Sequence, residues 1–135
     1  MRDLKNTFQI IWYCMRADLS FVWFAGVHAI WTIFFSRLFR KRSIIIASGY
    51  SVANMPEINY GLMISPKSAR KAKYVLENVD IVLAVSNFNK CEILRYTHPK
   101  KVTVVYHGFD QSKFRPMGEK NDIGVSVGGV KKLNL

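Results

Sequence analysis

Acidic side chains are scarce in this chain: nine Asp and Glu stand against twenty Lys and Arg over 135 residues, a formal net charge of +11. Such a surface attracts anions at long range, so phosphorylated substrates, nucleic acids and acidic lipid leaflets are the partners that charge admits. A simply basic soluble protein fits as well. Only two cysteines occur, Cys14 and Cys91, with no CxxC spacing. Each lies in a helical-looking apolar stretch, so two buried thiols are expected rather than a bridge or a metal pair. Three scattered histidines, His28, His98 and His107, form no zinc-like spacing, and no structural metal is expected. Helix-turn-helix, zinc-finger and RNP patterns are missing, which leaves charge as the sole argument for nucleic acid, and no such partner is expected. The opening Met1-Arg2-Asp3-Leu4-Lys5 has neither the apolar h-region nor the small-residue cleavage site of a secretory signal, which points to the cytoplasmic side.

What is present is apolar: half of all residues, enough for one packed core but not for a second full domain. The run Leu19 to Ser36 holds eighteen residues without a charged side chain and is followed by Arg37, Arg40, Lys41 and Arg42. Its length and basic flank meet the minimum for a membrane span. The competing reading divides it into a β-branched and aromatic strand, Leu19 to Phe24, and a helix from Val27 to Arg40 opened by Gly26. In that helix Ile30, Phe34 and Leu38 recur every four residues beside Trp31 and Phe35, which predicts one broad apolar face. Its basic C-terminal end suits both the helix dipole and anionic headgroups, so contact with the inner membrane face is a further expectation.

Apolar runs at 43–47, 81–85, 102–106 and 123–127 do not alternate with polar residues. Near-continuous apolar strands are what a parallel sheet covered on both faces requires. Helical stretches separate them: Leu4 to Met15, Val27 to Arg40, Ser68 to Asn78, and Asn87 to Tyr96 with Ser86 or Asn87 as N-cap. The expected fold is therefore α/β, a doubly wound parallel sheet of Rossmann-like type. Two segments interrupt the alternation. Ser48 to Pro66 is a long Gly- and Pro-punctuated loop directly after a strand, where open α/β sheets place ligand contacts. Asp110 to Asp122 reads as a linker. The basic stretch Lys67, Arg70, Lys71 and Lys73 fits a solvated helix start better than a binding patch.

After the fourth strand comes His107-Gly108-Phe109-Asp110-Gln111-Ser112-Lys113-Phe114-Arg115-Pro116. It resembles the Asn-Gly-Val-Asp and Phe-x-Pro junction of retaining GT-B glycosyltransferases, the large group sometimes called family four. Upstream, Asn78-Val79-Asp80-Ile81-Val82-Leu83-Ala84-Val85-Ser86 is similar to that family's strand ending in serine. Downstream, Ile123-Gly124-Val125-Ser126-Val127-Gly128-Gly129 is similar to the first strand of its second domain. The likeness covers about the last sixty residues well and is weaker before them. It implies an N-terminal, acceptor-side domain over 1–116, with its Gly-rich first strand missing, and over 117–135 a linker and the first strand of a truncated donor-binding domain. It implies hexosyl transfer from a nucleotide-diphosphate sugar, a co-substrate rather than a cofactor, to a glycan or lipid-linked acceptor. The basic pair and paired glutamates that grip the donor in this family have no counterpart in the sequence, so the isolated chain is expected to be inactive. A second chain carrying the donor domain is then an expected partner. The rival reading is a non-catalytic, membrane-associated or partner-docking module derived from such a domain.

The candidate site residues follow from loop position and from this resemblance. Gly49 and Tyr50 stand where relatives often carry a His or Asp near the reacting sugar. Glu57 and Tyr60 suit acceptor hydroxyls and a sugar ring face, although both tyrosines fit equally as loop anchors. Ser86 reads as a helix cap before a ligand. Gly108 lies at the cleft by resemblance, as does His107, the one catalytic candidate, whose imidazole suits proton exchange and which also fits a purely structural hinge. Gly108 permits the turn out of the strand, Asp110 bonds nearby amides, and Phe114, Pro116, Gly128 and Gly129 complete an interdomain hinge.

Overall fold

A computed structural model of the chain describes residues 2–108, 110, 112 and 113. The linker and fifth strand expected beyond Lys113, with Phe114, Pro116, Gly128 and Gly129, lie outside the described residues. Helix α1 (Arg2–Arg16) leads into strand β1 (Leu19–Trp23), followed by α2 (Val27–Leu38) and β2 (Arg42–Ala47). A short helix α3 (Gly49–Val52) and a 3-10 turn (Pro56–Ile58) lie in the long loop before α4 (Pro66–Asn78). Then come β3 (Ile81–Ala84), α5 (Asn87–Tyr96) and β4 (Val102–Val104). The uncharged run is thus divided between β1 and α2, and no helix of the described residues is long and apolar enough to cross a membrane.

The four strands are all parallel and lie in the order β1-β2-β3-β4, an α/β sheet of Rossmann-like type. Each connection steps one strand in the same direction, and right-handed crossovers then bring the connecting helices to one face. Burial agrees. Val22, Ile45, Ala47, Val82 and Ala84 meet Ala29 and Ile33 of α2, Ala72, Val75 and Leu76 of α4, and Ile93 of α5 in one core. On the opposite face Leu19, Phe21 and Trp23 remain about half exposed. The described residues therefore supply one helical layer. The second layer of a doubly wound sheet is not among them.

Two expectations need correction. The buried side of α2 is Ala29, Ile33 and Ser36, whereas Val27, Trp31, Phe34 and Leu38 face outward. Small residues let α2 approach β1 and α1 closely, and there Ser36 Oγ donates to Thr32 O (2.7 Å) and shares a hydrogen bond with Ser20 Oγ (2.7 Å). Cys14 lies buried beside that hydroxyl pair, but Cys91 is exposed, because α5 turns Asn89 and Ile93 inward and position 91 lies about 200° round the helix from Asn89.

Asp80 joins the beginnings of β2 and β3. Its carboxylate accepts from Ser43 N (2.9 Å), Ser43 Oγ (3.1 Å) and Lys100 Nζ (2.8 Å). Partial burial pushes its pKa up, but the bonds from Lys100 and Ser43 outweigh it and hold the group below its ordinary value of 3.8. A depressed folded-state pKa stabilises above the unfolded value and ceases to do so as pH falls through the folded one. Asp80→Asn is expected to cost about 1 kcal/mol at neutral pH, discounted because the carboxylate is partly exposed, and the difference from the parent should shrink in urea melts as pH falls through the lowered folded-state pKa.

Candidate functional site

Parallel strands end at a common edge, and in open α/β sheets ligands bind beyond it. Here that edge carries a cavity of about 250 Å³ between the loop after β2 and the length of α5. Gly49, Val52, Ala53, Asn54, Met55 and Tyr60 form one wall; Val85, Ser86, Phe88, Asn89, Glu92, Arg95 and Tyr96 form the other.

Backbone bonds hold the loop wall in shape. Met55 and Tyr60 exchange both main-chain bonds (3.1 and 3.0 Å), with Asn59 in the left-handed conformation at the turn. Leu62 N–H donates to Tyr50 O (3.0 Å) and Met63 N–H to Ala53 O (3.1 Å). The Tyr50 and Tyr60 rings meet edge to face at 5.2 Å. Gly61 sits at φ +117°, and a Cβ built there would lie 1.9 Å from Ala53 O, so only glycine fits.

The helical wall begins at Ser86, whose Oγ accepts from Asn89 N–H (3.0 Å) and caps α5. Asn89 is the informative residue. It is 3% exposed, its Oδ1 accepts from Val85 N–H (3.3 Å), and its Nδ2 is the one buried side-chain N or O among the described residues without a partner. A buried amide donor left unpaired costs about 1–3 kcal/mol, and because Asn89 also lines the cavity, an acceptor oxygen that reached this nitrogen would relieve that cost. At the rim Arg95 pairs with Glu92 (3.5 Å) and lies over the Tyr96 ring, 5.5 Å from its centroid. Phe88 is exposed. The cavity thus offers aromatic walls, one neutral buried donor, one carboxylate and one guanidinium.

Of the residues singled out in the sequence, the fold brings Gly49, Tyr60 and Ser86 to this cavity and sets Tyr50 against Tyr60. Glu57 lies in the 3-10 turn, exposed and not among the lining residues. His107 and Gly108 follow β4 on exposed chain. His107 stacks on Trp23 at 6.3 Å, while His28 contacts Trp23 O through Nε2 (3.0 Å), and Tyr106 Oη accepts from Asn87 Nδ2 (3.0 Å). Beside Trp23, Phe24 takes φ 68°, a left-handed conformation uncommon for a bulky residue. Asp110 Oδ1 accepts from Ser112 Oγ (2.6 Å) and Ser112 N–H (3.0 Å), the local turn expected of it, and these bonds hold its pKa below the usual carboxylate value. No group of three or more His, Cys, Asp or Glu able to hold a metal ion occurs among the described residues.

Asn89 was missed in the sequence. It lies four residues before Ile93 on the inward stripe of α5, a position that an asparagine does not announce by its type. Asp80 and Ser86, the polar residues of the strand that carried the family likeness, act structurally, one linking two strands and one capping a helix. No protein-family model matches the chain, and no curated protein matches it in sequence.

Proposed function

We propose that the chain is the acceptor-side domain of a GT-B glycosyltransferase, in which the cavity holds a hydroxylated acceptor, a glycan or the sugar of a lipid-linked one. The observation that carries the reading is the unpaired amide of Asn89, buried behind the surface of a cavity that Asn89 lines with Tyr60, Phe88 and Tyr96. Sugars present acceptor oxygens to such a donor and C–H faces to aromatic rings. Glu92 and Arg95 suit further hydroxyls. The described residues form a single sheet, so the reading assigns the nucleotide-diphosphate sugar to a donor-binding domain elsewhere. Transfer then depends on positioning the acceptor hydroxyl against a donor held by that domain. His107, at the same edge, is kept as the residue to test for proton exchange once both domains are present.

Calorimetric titration with methyl hexosides tests the reading. Binding in the millimolar range is expected, with Asn89→Leu and Tyr60→Ala each weakening it about ten-fold, and the chain alone should transfer no sugar. Equal binding by Asn89→Leu would remove the cavity from the account.

A second reading rests on a separate observation. The outward side of α2 exposes Val27, Trp31, Phe34 and Leu38, and Trp31, Phe35 and Phe39 stack at about 6 Å. Next to its C-terminal end Arg37, Arg40, Lys41 and Arg42, with Asp80 and Ile81, line an open depression of about 500 Å³ in which cations outnumber the single carboxylate. An aromatic face beside a cation cluster suits attachment at an anionic membrane surface, either as the acceptor-delivering side of the enzyme or as a non-catalytic module. Flotation with phosphatidylglycerol vesicles should carry the chain upward at low salt. Arg40→Glu/Arg42→Glu should leave it behind, and equal flotation on neutral phosphatidylcholine would refute a charge-dependent contact.

A further inference from the structure

The face of the sheet turned away from α2, α4 and α5 has its own pattern. The pleat places Leu19, Phe21 and Trp23 of β1 beside Ile44 and Ile46 of β2 and Leu83 of β3. The isoleucines and Leu83 are half-buried by their strand neighbours, whereas the β1 residues are 46–55% exposed. β1 is also an edge strand, with neither proline nor a charged residue along it. Parallel sheets occur almost only with both faces covered, because a face this apolar is otherwise left in water.

Charge on this face is one-sided. At the N-terminal ends of the strands, the cations that alternate toward the covered side are matched: Lys41 by Asp18 (3.8 Å) and Lys100 by Asp80 (2.8 Å). Those that alternate toward the open side, Arg42 in β2 and Lys101 immediately before β4, have no carboxylate partner among the described residues. No strand position on the open face is acidic. We propose that this face is a docking surface for an amphipathic α-helix of a separate polypeptide, its apolar stripe on Phe21, Trp23 and Ile46 and acidic residues at one end over Arg42 and Lys101. Four strands spaced by about 4.8 Å offer a face some 14 Å across between the outer strand axes, wider than one helix of about 10 Å. A second copy of the chain fits less well, since two +11 surfaces repel.

The test uses the full chain with Trp12→Phe and Trp31→Phe, which leaves Trp23 as the sole tryptophan. The probes are two designed helical peptides with the same leucine stripe, one flanked by glutamates and one by lysines. The glutamate peptide is expected to shift Trp23 emission to the blue saturably at micromolar concentration, and the lysine peptide to bind at least about ten-fold more weakly. Arg42→Glu, checked for fold by circular dichroism, should weaken the glutamate peptide about ten-fold, and Lys101→Glu, outside the strands, should act in the same direction. No saturable shift, or equal affinity for both peptides, overturns the proposal. It is also overturned if sedimentation shows a dimer that already buries Trp23, or if phosphatidylglycerol vesicles shift the emission and the glutamate peptide does not.

Discussion

Gly61→Ala is expected to lower stability by about 2–4 kcal/mol and to abolish binding at the cavity, the sharpest single-residue effect outside the core. Two causes act together. The φ of +117° lies outside the regions open to a residue with a Cβ, and the added carbon would stand 1.9 Å from Ala53 O, an atom already accepting from Met63 N–H. The loop can relieve the clash only by moving the 53–60 wall that carries Tyr60. Gly49→Ala supplies the contrast. Its Cβ meets nothing within 4 Å and it opens α3, so the substitution should leave stability within about 1 kcal/mol of the parent. Thermal melts of the two variants, with hexoside titration of each, check this. A Gly61→Ala protein that melts and binds like the parent would show that the loop is not held as described.

The second large effect concerns the side of α2 that faces the core. Ile33 is fully buried among residues of the sheet core, so Ile33→Ala should cost about 2–5 kcal/mol through lost burial and the cavity left behind. Phe34→Ala, one position on, should cost only about 1 kcal/mol, because Phe34 is 46% exposed and keeps little beyond its edge contact with Phe35. Urea denaturation of both distinguishes the arrangement described here from the one that hydrophobic periodicity suggests, in which Phe34 rather than Ile33 carries the load.

That contrast shows how far the sequence was readable. The strands were legible because β2 and β3 are central, and Ile44, Ile45, Ile46, Val82 and Leu83 are apolar whichever way they point. The same continuity implied two covered faces, since it cannot distinguish a covered face from an open one; only the placement of α2, α4 and α5 does. The split of Leu19 to Ser36 was readable from Gly26 and the β-branched, aromatic composition before it. The buried side of α2 was not, because close helix approach selects Ala29 and Ser36, which score low in hydrophobicity, while Trp31, Phe34 and Leu38 score high and face outward. At the site, the loop after β2 and the Ser86 cap were legible from turn and capping chemistry. Asn89 was not, because an asparagine in a helix is usually a surface residue, and its isolation became visible only once Val85 N–H was found to occupy its oxygen alone. Nor did spacing bring His107 to Trp23, since the two residues belong to opposite ends of the chain's strand order.

Sugar binding at the strand-end cavity, as proposed, passes through the Asn89 amide. The most direct measurement follows the Asn89 side-chain amide signals by ¹⁵N–¹H NMR while methyl hexosides and, separately, a nucleotide-diphosphate sugar are added. A saturable shift of those signals is expected with at least one hexoside and none with the nucleotide sugar. A shift with the nucleotide sugar alone, or an Asn89 amide that answers to neither, would contradict it.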